Sequence, residues 1–147
     1  MRKLTIQEAS DITLKLSNKG IILDNTISAP TFQDSNNIFL KKEYYCGDNI
    51  IHELCHYLVA NNPEKQERNL GLDSTKSESH VLLREAEAFI LQERFYKEIN
   101  VEDDPEAHIT KYKKYLMSHG HFGPALMGAR KSDLSENLKS LLDCFHG

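Results

Sequence analysis

Near the start of the chain, Ile6, Ala9, Ile12 and Leu16 recur at helical spacing, so the pattern predicts a first amphipathic helix. Thr5 ahead of them and Glu8 three residues later have the form of a capping box, and Gly20 is placed to close the helix at C′. Residues 21–23 are a short apolar run and residues 37–42, "NIFLKK", a second one; both read as strands. Ala29-Pro30 and the "DSNN" stretch at 34–37 read as turns between them. Two short strands joined in this way predict a small antiparallel sheet.

The next segment, "GDNIIHELCHYLVANNP", has Ile50, Ile51, Leu54, Cys55, Leu58 and Val59 spaced as a helix, with Asp48 as its expected cap and "NNP" as its stop. Residues 62–76 are polar and aperiodic, which predicts a long mobile loop near a binding cleft. Helical periodicity returns over residues 77–98 and breaks at "NVEDDP", where Pro105 suits the first position of a further helix running to Met117. "SHGHFGPALMG" reads as an irregular connector. Ser132 or Asp133 then opens a last helix with Leu134, Leu138, Leu141, Leu142 and Phe145 along one side. The pattern is that of one α+β domain over residues 1–147, mostly helical, with the small sheet beside the histidine-bearing helix.

Composition narrows the possible partners. The chain has 147 residues, 39% of them hydrophobic and 27% charged, which is ordinary for a globular protein able to bury a core. The net charge of −4 and the scattered lysines and arginines leave no basic stripe, which argues against nucleic acid as a partner. "MRKLTIQEAS" lacks the apolar core of a signal peptide, and no run approaches the roughly 18 apolar residues of a membrane span. Cys46, Cys55 and Cys144 are odd in number and form no CxxC pair; they read as small hydrophobes in a reduced, cytoplasmic chain.

The candidate chemistry lies in "HELCH". Four residues advance a helix by about 6 Å and turn it by about 40°, so His52 and His56 project side by side and can reach one ion. The string is short enough to arise by chance, so its setting carries the weight. The apolar positions around it take both imidazoles toward the interior, where they need a partner; a shared metal is one and a carboxylate another. Two histidines do not complete a zinc site. A third histidine six residues beyond the second is absent, because that position is Asn62. The helix at residues 79–96 offers a carboxylate instead: Glu85 lies among Val81, Leu82, Ala88 and Phe89 and is expected to face the core. Glu87, near Arg84 and Ile90, is the alternative.

"HELCH" followed by "EAEAF" resembles the HExxH…E metallopeptidases, the gluzincin-like zincins. The small size, N-terminal helix, short strands and "HELCHYLVA" make the chain most similar to the ImmA/IrrE-type metallopeptidases. The resemblance covers roughly residues 37–96. It implies a zincin-like domain in which His52, His56 and Glu85 hold Zn2+ and Glu53 is the catalytic base. These families usually carry Asp or Asn four residues after the ligand glutamate, where this chain has Phe89.

Read as a peptidase, the chain would hydrolyse peptide bonds in a protein or peptide, with Glu53 moving protons between water and the leaving amine. Tyr44, Tyr45, His119 and His121 are the candidates for stabilising the transition state. The strand "NIFLKKEYY" offers an edge along which an extended substrate could pair. Two other classes compete: a catalytically silent zinc-bound module that binds a partner protein, and a metal-free helical interaction domain docking through its last helix.

Overall fold

The computed structural model describes residues 1–72 and 76–147. The elements are helix α1 (Ile6–Ser17), strands β1 (Gly20–Leu23), β2 (Thr31–Gln33) and β3 (Asn37–Leu40), and helices α2 (Gly47–Val59), α3 (Asn62–Lys65), α4 (Glu78–Ile99), α5 (His108–Ser118), α6 (Phe122–Lys131) and α7 (Ser135–His146). Single 3-10 turns at Lys42–Tyr44 and Arg68–Gly71 complete the described secondary structure. The fold is α+β and mostly helical.

The capping box forms as its residues dictate: Thr5 accepts from the Glu8 amide, and Glu8 accepts from the Thr5 amide. Closure differs from the expectation at Gly20. Asn18 takes the left-handed conformation at φ 58° and ends α1, so Gly20 is released to begin β1.

The sheet is mixed rather than antiparallel. Its order is β1-β3-β2, with β1 parallel to β3 and β2 antiparallel to it. The antiparallel partner is the three-residue strand at Thr31, which sequence patterning left unassigned between two turns. Asp34 makes the β2–β3 turn by accepting from the amides of Asn36 and Asn37. As the central strand, β3 turns Ile38 and Leu40 into the core, both with no exposed surface.

α2 runs between α1 and α4, and α4 also carries α6 and α7. Ile50, Ile51, Leu54 and Cys55 are wholly buried at this junction, together with Ala86, Ala88, Leu91 and Phe95 of α4. At the entry to α2 a Cβ on Gly47 would run into the Leu4 backbone carbonyl, so only glycine lets the N-terminal segment cross there. Asp48 is inside α2 and does not cap it; its carboxylate instead accepts from the Tyr96 hydroxyl and the Asp104 amide. Three further expectations are corrected. Part of the 62–76 stretch is helical, with Asn61 capping α3 and Glu64 buried; residues 73–75 lie outside the described residues. Pro105 precedes α5, which starts at His108. The connector "SHGHFGPALMG" contains the start of α6, where Pro124 sits in the first turn and needs no amide proton. α7 begins at Ser135, with Leu134 and Leu141 buried as its apolar face requires.

Candidate metal centre

The helical spacing puts the rings of His52 and His56 at 4.7 Å between centroids, nearly perpendicular to each other and both buried. From α4, one carboxylate oxygen of Glu85 lies 2.5 Å from His52 Nε2 and 3.0 Å from His56 Nε2. Ligands at about 2.0–2.1 Å from a tetrahedral zinc stand about 3.3 Å apart, so small outward shifts would admit an ion. His52, His56 and Glu85 form the one such cluster among the described residues.

Hydrogen bonding decides what this cluster needs. Gln92 Nε2 donates to the Asp48 carbonyl, which turns Gln92 Oε1 toward His52 Nδ1 at 3.0 Å. An amide oxygen only accepts, so His52 carries its proton on Nδ1 and presents a lone pair at Nε2. That lone pair faces the Glu85 carboxylate, another acceptor. Two acceptors at such a distance require a positive charge between them, supplied by a further proton or by a metal cation. The electrostatics agree. Burial pulls His56 down, but the Glu85 charge and hydrogen bond and the Glu53 charge outweigh it and raise it to about 9. Burial pushes Glu85 up, yet the two histidines hold it well below the usual carboxylate range. The donor set of two nitrogens and one carboxylate oxygen fits zinc.

Glu87 is not in this cluster. Arg84 bonds it at 2.7 Å and also bridges to the buried Glu64, which in turn accepts from His80. Phe89 packs on the His52 ring at 4.4 Å between centroids, where an acid or amide was the usual pattern. Gln92 provides the missing acceptor from three residues further along α4. Sequence reading overlooked it because only the full helix geometry and the Asp48 carbonyl show which face it serves.

A cleft of about 380 Å³ opens over the cluster. Glu53, 8% exposed, borders it with His52, His56 and Glu85 on one side. Pro30 and Thr31 line another wall, Asn69 and Leu72 a third, and His108, Ile109 and Tyr112 of α5 a fourth. The stretch after α2 therefore does border the cleft, as expected.

None of the four expected stabilisers lines it. Tyr44 packs its ring edge against His108 at 4.5 Å, Tyr45 is exposed, His119 stacks with Tyr115, and His121 borders a separate groove between α4 and α6. The further imidazole and phenol that border the cleft are those of His108 and Tyr112. Asn49 of α2 fixes their helix by accepting from the Ile109 amide. Burial, against the pull of Glu53 and Glu85, keeps His108 below the ordinary imidazole range, and burial also raises Tyr112. Both are neutral donors at neutral pH.

No protein-family model, curated protein or solved structure matches the chain. The site is therefore read from its own residues. The edge of β3 is not open to a substrate, because β1 and β2 occupy both sides. The strand bordering the cleft is β2, and there Asn69 already accepts from the Gln33 amide. No described helix is long and apolar enough to cross a membrane, and Cys46, Cys55 and Cys144 are unpaired.

Proposed function

We propose that the chain is a zinc-dependent peptidase, of the HExxH…E kind and most similar to the ImmA/IrrE type, acting on a protein or peptide in a reducing compartment. One observation carries the reading: two buried histidines and a carboxylate from another helix converge at acceptor-to-acceptor distances beside Glu53, on the floor of a cleft. His52, His56 and Glu85 would hold the ion. A zinc ion there supplies Lewis acidity, lowering the pKa of the water it holds and polarising a carbonyl.

The chain's own groups do the rest. Glu53 accepts the proton of the attacking water and delivers it to the leaving amine. His108 and Tyr112, as neutral donors facing the same space, are suited to the developing oxyanion. Phe89 over the His52 ring keeps solvent from that side of the ligands, and Gln92 holds the tautomer that ligation needs. A net charge of −4 favours a polypeptide over nucleic acid.

Glu53→Gln tests this reading. With zinc-loaded protein and a fluorescent unfolded protein as substrate, the variant should keep its metal and fold and lose hydrolysis by several orders of magnitude. Wild-type rates in the variant would contradict the assignment of the base. A wild-type protein that binds zinc and a partner but cleaves nothing would favour the silent binding module.

A further inference from the structure

Lys19 is 2% exposed, although lysine is seldom buried without a charged partner. Its ammonium lies over the Tyr57 ring, 4.6 Å from the centroid, and donates to Gln33 Oε1 at 2.8 Å. The acceptor is a neutral amide, itself only 1% exposed. An ammonium can only donate, so it fixes the amide oxygen toward Lys19 and turns the amide nitrogen to the opposite side. On that side is Glu53: Gln33 Nε2 donates to its backbone carbonyl at 2.6 Å and approaches its carboxylate oxygen at 3.4 Å. The Gln33 amide nitrogen of the backbone is also held, by Asn69.

Burying an ammonium is costly, and core packing alone gives no reason for one here. We propose that Lys19 and Gln33 form a two-residue clamp that positions the Glu53 carboxylate, Lys19 acting through Gln33. This deepens the peptidase reading and rests on Glu53 being its base. Neither residue touches substrate in this scheme; both are positioning residues. Preorganising a base in this way removes alternative rotamers that would point it away from the reacting water.

The test uses the full chain loaded with zinc, comparing Lys19→Met, Gln33→Leu, Gln33→Glu and the Lys19→Met/Gln33→Leu double variant. Gln33→Glu keeps a partner for Lys19 while replacing the donor to Glu53 with an acceptor. Zinc content and helical circular dichroism should match wild type in every variant. The kcat should fall about ten-fold or more in each single variant with KM little changed. The double variant should fall little further than Gln33→Leu, because Lys19 bonds to Gln33 and reaches Glu53 otherwise only as a charge. Affinity for acetohydroxamic acid, which would chelate the ion as its anion and pass its proton to the base, should follow the same non-additive order. Wild-type kcat and hydroxamate affinity in folded, zinc-loaded Gln33→Glu or Lys19→Met would overturn the clamp alone. A wild-type chain that takes up no zinc or cleaves no polypeptide would overturn the peptidase reading, and the clamp with it.

Discussion

Glu85 and Glu87 are two residues apart on one helix, yet their surroundings assign them opposite work. Glu85 shares one oxygen between two imidazole nitrogens, while Glu87 is taken up by Arg84. Glu85→Gln should therefore weaken zinc binding at least ten-fold in a competition titration with a chromophoric chelator, and Glu87→Gln should change it little. A larger loss in Glu87→Gln would require α4 to be rotated from its present setting. Gln92→Leu leaves His52 Nδ1 without an acceptor and the tautomer unselected, so zinc affinity should drop by roughly ten- to a hundred-fold in the same titration. Unchanged affinity would mean that Phe89 packing alone orients the ring.

Among the elements, α1 shows how local chemistry sets both an end and a pH dependence. Arg2 bonds both Glu8 oxygens at 2.7 Å while Glu8 closes the capping box. Chiefly through the Arg2 hydrogen bond, and against burial, the Glu8 carboxyl is lowered from 4.5 to about 2. A depressed acid contributes stability that is complete above its unfolded value of about 4.5 and lost as pH falls toward 2. Urea midpoints at about pH 6 and about pH 3 should thus differ less in Glu8→Gln than in wild type; equal differences would remove Glu8 from the account. This helix was legible in the sequence because capping box and period agree locally. So were α2, α4 and α7, whose apolar stripes are long. Elements set by distant partners were not. β2 is three residues long and exists only through its pairing with β3, and the parallel match of β1 to β3 leaves no local mark. In α6, glycine and proline read as breakers, although Pro124 occupies a turn where its missing amide proton costs nothing.

Across the molecule, the histidine–carboxylate cluster and the cleft walls are tied into one network. Gln92 links His52 to the Asp48 backbone; the Asp48 carboxylate holds the Asp104 amide; and Asn49, next in α2, holds the start of α5 through Ile109. The helix that supplies the histidines therefore also places His108 and Tyr112 above them. That explains why the histidine–carboxylate cluster was readable from two short motifs while the opposing wall was not: its register depends on bonds from Asp48 and Asn49 to residues far along the chain, Asp104 and Ile109. In the proposed function this network holds one zinc ion at His52, His56 and Glu85. Elemental analysis after zinc loading and desalting tests it most directly, with wild type beside the His52→Ala/His56→Ala double variant. Wild type should hold close to one zinc per chain and the variant almost none; stoichiometric zinc in a folded double variant would contradict the site.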